Sequence, residues 1–193
     1  MTFDEALSRL GMEWSYGPFH LARVCVEMSK GNFVAGHVLM QMLYWHMPGK
    51  KAEYKTKLRV TKRSRLDGQI YLYLAKSHKG FALELGISQR ELRTSLDILE
   101  GVIERVPSKT QKPGGKYLKK DKITHPDEQI VIAEVFRFSA KPTRHFRINW
   151  DVFFMKYDEA KESYQQKLKD AKSGGEQTLW QEDEQEFYQW GNQ

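Results

Sequence analysis

Between Ser77 and Glu100 the chain reads Ser-His-Lys-Gly-Phe-Ala-Leu-Glu-Leu-Gly-Ile-Ser-Gln-Arg-Glu-Leu-Arg-Thr-Ser-Leu-Asp-Ile-Leu-Glu, which constrains the fold more than any other stretch. Ser77 can cap a first helix whose apolar face includes Phe81, Ala82 and Leu85. Gly86 can adopt the positive φ that ends a helix without steric penalty. Ile87 then fills the corner, Ser88 caps a second helix, and Glu91 three residues later completes a Ser-x-x-Glu capping box. In that second helix Leu92, Leu96 and Leu99 fall on one face, so Gln89, Arg90, Arg93, Thr94 and Asp97 are expected to point outward.

A helix pair with a charged outer face is a common supersecondary unit and does not by itself imply a ligand. The residues after the pair point further. Gly101 stops the second helix, 101–106 has strand character, and 107–127 carries Pro107, Pro113-Gly114-Gly115 and Pro126 among many lysines. The order helix, glycine turn, helix, glycine, hairpin is that of a winged helix. The expected fold class is α+β, a winged helix-turn-helix with a long basic wing and a C-terminal helix. A major groove admits one α-helix, and Gln and Arg side chains can pair with base edges there. The expected recognition residues are Ser88, Gln89, Arg90, Arg93 and Thr94, with Ser88 and the helix N-terminus also offering donors to a phosphate. Lys109, Lys112, Lys116, Lys119, Lys120 and Lys122 lie where a wing would touch the DNA backbone. A basic run upstream, read as a loop, adds Lys55, Lys57, Arg59, Lys62 and Arg63.

The remaining chain supplies a core. A short amphipathic piece, Phe3, Ala6, Leu7 and Leu10, closes at Gly11 and forms an N-terminal arm over 1–18. Helical spacing marks 19–28 and 33–45, the latter capped by Asn32. Strands are expected over 69–75, 130–138 and 145–149, completing a domain over 19–150. A final helix over 151–173 carries Phe153, Tyr157, Ala160, Tyr164, Leu168 and Ala171 at steps of three or four. That stripe either folds back on the domain or pairs with a second copy, and a homodimer is the expectation slightly favoured. Residues 174–193 form an acidic tail, expected to be a disordered solubilising segment, with docking on a basic protein surface as the sharper alternative.

Charge distribution sharpens the ligand class. The net charge is +6, yet no Lys or Arg occurs after Lys172, while Glu176, Glu182, Asp183, Glu184 and Glu186 add five negative charges. Taking those five away leaves +11 on the residues before them, which suits a polyanionic partner. No apolar run approaches the roughly 20 residues that span a bilayer, so no membrane role is expected. The opening Met1-Thr-Phe-Asp-Glu lacks the layout of a secretory leader, and the single cysteine, Cys25, sits in an apolar helical context. A buried thiol and a cytoplasmic setting are therefore expected. Gly114-Gly115-Lys116 is followed by Tyr117, so no phosphate-binding loop of the ATPase type is read. His20, His37, His46, His78, His125 and His145 show no metal-ligand spacing, though His78 and His145 could contact phosphate. No enzyme, metal or cofactor is expected.

The segments Leu74-Ala-Lys-Ser-His-Lys-Gly-Phe-Ala-Leu-Glu-Leu-Gly-Ile-Ser-Gln-Arg-Glu-Leu-Arg93, Leu96-Asp-Ile-Leu-Glu-Gly-Val-Ile-Glu-Arg105 and Thr143-Arg-His-Phe-Arg-Ile-Asn149 together resemble the winged-helix domains of phage and plasmid replication proteins, of the replisome organiser and initiator type. Leu43-Tyr-Trp-His46 is similar to the segment preceding that domain. The resemblance covers about 19–150 and departs from the pattern at the basic insertion 50–65 and the long wing 107–127. It implies a protein of a prokaryotic or phage-infected cell that binds double-stranded DNA at a specific site and recruits a replication or transcription partner. A transcriptional regulator of a mobile element would use the same domain. An adaptor or inhibitor would instead turn it toward a protein or ribonucleoprotein.

Overall fold

A computed structural model of the 193-residue chain describes residues 3–15, 18–47, 59–107, 120–138 and 141–173. Within them the chain is α+β, with six helices, a four-stranded antiparallel sheet and a separate two-stranded antiparallel ribbon. Three helices come first: α1 (Phe3–Ser15), α2 (Pro18–Met28) and α3 (Phe33–His46). Asn32 caps α3 by accepting a hydrogen bond from the Ala35 N–H at 2.9 Å. A Cβ at Gly36 would stand 2.8 Å from the backbone of Val26, so α2 and α3 meet almost backbone to backbone.

Strands β1 (Arg59–Arg63) and β2 (Ile70–Ala75) lead into α4 (His78–Leu85) and α5 (Gln89–Leu99). The ribbon of β3 (Val102–Pro107) and β4 (Lys120–Thr124) comes next, then one 3-10 turn at Pro126–Glu128. The chain ends in β5 (Val131–Phe138), β6 (Lys141–Ile148) and α6 (Trp150–Ser173). The large sheet has the order β1-β2-β6-β5, with Leu74 opposite Phe146 and Glu134 opposite His145.

Alternation along the strands divides that sheet into two faces. Leu74, Phe146, Ile148 and Val131 join the main core. All six helices contribute to the same core: Ala6 and Leu10 from α1, Cys25 from α2, Leu39 and Trp45 from α3, Phe81 from α4, Leu92 and Leu96 from α5, Phe153 and Tyr157 from α6. On the other face Tyr73 donates a hydrogen bond to Glu134, whose second oxygen accepts the Arg65 N–H at 2.8 Å. The Arg147 guanidinium lies 3.8 Å from the Tyr71 ring centre. These contacts fold the β1–β2 turn over the sheet, and burial, then the bond to Glu134, pushes the Tyr73 phenol up to about 12.

Several sequence expectations are corrected here. Helix α1 runs through Gly11 to Ser15 rather than closing there, and its Ala6 and Leu10 are fully buried in the common core. Arg59, Lys62 and Arg63 belong to a strand, not a loop, because they pair in register with Leu74, Tyr71 and Ile70. Lys120 and Lys122 likewise lie in strand β4. The hairpin that joins the strand between the helix groups is β5–β6, through Leu74 and Phe146; the β3–β4 ribbon after Gly101 stands outside that sheet. In α6, Phe153, Phe154, Tyr157 and Ala160 are buried in the chain's own core, so that half of the stripe is already covered. Beyond it Leu168 is exposed. Lys55, Lys57, Lys109, Lys112, Lys116, Lys119 and the acidic tail 174–193 lie outside the described residues.

Candidate nucleic-acid interface

The site is organised by the corner between α4 and α5. Ser77 caps α4 by accepting the Gly80 N–H at 3.1 Å. Lys76 pairs with Glu84 and lies 4.3 Å from the Trp45 ring centre, which holds α4 against α3. At the end of α4, Gly86 has φ 67 and ψ 25; its N–H reaches Leu83 O, and the Ile87 N–H reaches Ala82 O at 3.0 Å. These two bonds form a Schellman cap, which satisfies carbonyls left open by the helix and turns the chain sharply. Phe81 and Ala82 are buried beneath it, and Ile87 packs against the core.

Ser88 starts α5 in the capping box expected from sequence. Its Oγ accepts the Glu91 N–H at 3.2 Å, and its own N–H donates to Glu91 Oε2 at 2.8 Å. Those bonds, the Ser88 backbone bond foremost, hold the Glu91 carboxyl below its usual range. The Ser88 N–H is thereby used inside the capping box, and a carboxylate stands at the helix start beside the donors that the sequence offers to a phosphate.

Leu92, Leu96 and Leu99 are wholly buried, and Gln89, Arg90, Arg93 and Thr94 are exposed along the opposite side. No described carboxylate pairs with Arg90 or Arg93. Asp97, also expected to face outward, is instead held by Arg105 and by Lys122 at 2.7 Å. Burial alone would raise the Asp97 carboxyl, but those two cations keep it below its ordinary value. Glu100, 5% exposed, accepts from Lys122 at 2.8 Å and from Arg144 at 2.5 Å. The end of α5 is thereby fastened to the ribbon and to β6 at once.

Three further expected contact residues have partners within the chain. Lys122, expected to meet the DNA backbone, spends its charge on Asp97 and Glu100. Arg59 donates to Trp45 O at 2.8 Å and Met47 O at 2.7 Å, tying β1 to the end of α3. Arg63 donates to Gly68 O at 2.8 Å inside its own hairpin. His145 is 1% exposed, beside Phe136 on the far side of the sheet, and is not at this surface. Sequence reasoning missed Arg105 and Arg144. Arg144 could have been found, since it is two residues from Phe146 and four from Ile148 and so shares the strand face turned to the helices.

Among the described residues no group of three His, Cys, Asp or Glu is placed to hold a metal ion. No described helix is long and apolar enough to cross a membrane. Cys25 is fully buried, and burial pushes its thiol pKa up. Comparison with known proteins finds no matching family model, no significantly similar characterised sequence and no significantly similar solved structure.

Proposed function

We propose that this chain is a winged-helix protein that binds double-stranded DNA at a specific site, with α5 in the major groove, and that it acts by binding rather than by catalysis. The observation that carries the reading is the row Gln89, Arg90, Arg93 and Thr94, exposed on a helix whose leucines are buried and whose start is rigidly capped. Gln and Arg are the side chains suited to paired hydrogen bonds with adenine and guanine edges. A helix locked by a Schellman cap before it and ion pairs at its end presents those groups with little ordering left to do. The charge of +11 before the acidic tail supplies non-specific attraction to phosphates.

The resemblance carried by 74–105 and 143–149 makes replication initiation of a phage or plasmid the process proposed, with a regulator of a mobile element as its nearest variant. A partner protein in replication or transcription belongs to that proposal. Selection of bound duplexes from a randomised pool at two salt concentrations tests the reading. The expected result is one enriched sequence whose affinity drops steeply as salt rises. Recovery of an unenriched pool at low salt, with no measurable duplex binding, would turn the reading toward a protein or ribonucleoprotein partner.

A further inference from the structure

Elements α5, β3, β4 and β6 bring four cations to one corner of the molecule. Arg144 from β6, Lys122 from β4 and Arg105 from β3 are joined there by their ion pairs, and Arg93 from α5 shares with Arg144 and Lys122 the field felt by one imidazole. Only two described carboxylates pair with them there: Asp97 with Arg105 and Lys122, Glu100 with Lys122 and Arg144. Four cations against two carboxylates leave an excess of two positive charges while the neighbouring imidazole is neutral.

That imidazole is His78, at the start of α4. It stacks on Phe146 with ring centres 5.9 Å apart, and the Arg144 guanidinium lies 5.5 Å from the same ring. Its Nε2 is buried without a hydrogen-bond partner among the described residues. Burial first, then the charges of Arg144, Arg93 and Lys122, lower its pKa from the ordinary 6.5. The charged groups facing it are thus Arg93 from α5, Lys122 from β4 and Arg144 from β6, with Lys79 next to it on α4. All are cations, and the carboxylates Asp97 and Glu100 are engaged with Lys122 and Arg144.

We propose that this corner is a phosphate site, which takes one backbone phosphodiester of a duplex lying along α5 and in doing so draws a proton from solution onto His78. The proposal rests on the DNA-binding reading and adds to it a contact point and a pH dependence. The coupling needs no direct bond to the buried Nε2. An anion beside Arg93 and Arg144 screens the cations that oppose an imidazolium, so the charged ring becomes less costly once phosphate is bound. The linkage has one sign: the complex holds more protons than the separate partners, and affinity rises as pH falls through the pKa of the complex.

The test uses the full chain and its selected duplex at constant ionic strength. Wild-type affinity should be about three- to tenfold higher at pH 5.5 than at pH 7.5, the change expected when one imidazole gains a proton on binding. In His78→Gln the change should shrink below about twofold. In parallel, the NMR titration of the His78 ring in wild type should show its midpoint rising when duplex is added, and rising less in Arg93→Gln. Equal pH dependence in wild type and His78→Gln, or a His78 midpoint unmoved by bound duplex, overturns the phosphate site and leaves DNA binding standing. A chain that binds no duplex, yet whose His78 midpoint rises with inorganic tripolyphosphate, overturns the DNA reading and retains an anion site. No response to either ligand overturns both.

Discussion

His46 shows how one residue can make the whole fold sensitive to pH. It ends α3 fully inside the core, its Nδ1–H donating to Met42 O at 2.8 Å and its ring edge-on to Trp150. Burial is the main cause that lowers its pKa to about 4 from the ordinary 6.5. The unfolded chain therefore takes up a proton at this residue between those two values while the folded chain does not. Stability should fall as pH drops from 6.5 toward 4, by up to about 3 kcal/mol from this group alone. Urea unfolding at a series of pH values would show it, and His46→Gln should flatten the curve across that window. A wild-type curve already flat there would mean the imidazole is not held neutral. The same scale decides the interface: Ser88 and Glu91 satisfy each other, whereas Arg90 and Arg93 are exposed.

At the scale of elements, the junction after α5 is the point on which the ribbon's placement depends. Gly101 has φ 61, and a Cβ there would lie 2.9 Å from the Glu128 backbone carbon. Its carbonyl also accepts the His125 N–H at 2.9 Å, so the turn after β4 closes tightly on the turn before β3. Gly101→Ala should cost about 2–4 kcal/mol, combining a left-handed backbone with a clash that backbone must relieve. Chemical denaturation measures that loss; a change under about 0.5 kcal/mol, the usual range for a neutral surface substitution, would contradict the packing. The helix pair was legible from sequence because each of its signals is local: Ser77, Gly86, Ser88 and Glu91 act within a few residues. Strand pairing was not. Whether β2 neighbours the ribbon or β6 depends on contacts some 70 residues away, and alternation alone does not choose between them. For the same reason Lys122 reads as a surface charge in the sequence, although Glu100 and Asp97 hold it.

Across the whole molecule, the helices and one sheet face share a single core, and the exposed side of α5 lies at its surface. The basic excess is spread more widely than that helix, so most of the attraction to phosphates comes from residues other than those that read sequence, with Arg93 at the border between the two. Arg90 and Arg93 together test that separation. In Arg90→Ala/Arg93→Ala the fold should persist, since both side chains are exposed and unpaired by any described carboxylate. Discrimination between the selected duplex and a scrambled one should fall by about 1–3 kcal/mol for each base that an arginine no longer reads. The decisive measurement is the affinity of wild type and this double variant for both duplexes at one salt concentration. The account predicts that wild type prefers the selected duplex and the variant binds the two nearly alike. A variant that keeps the full preference would contradict the claim that α5 reads the site.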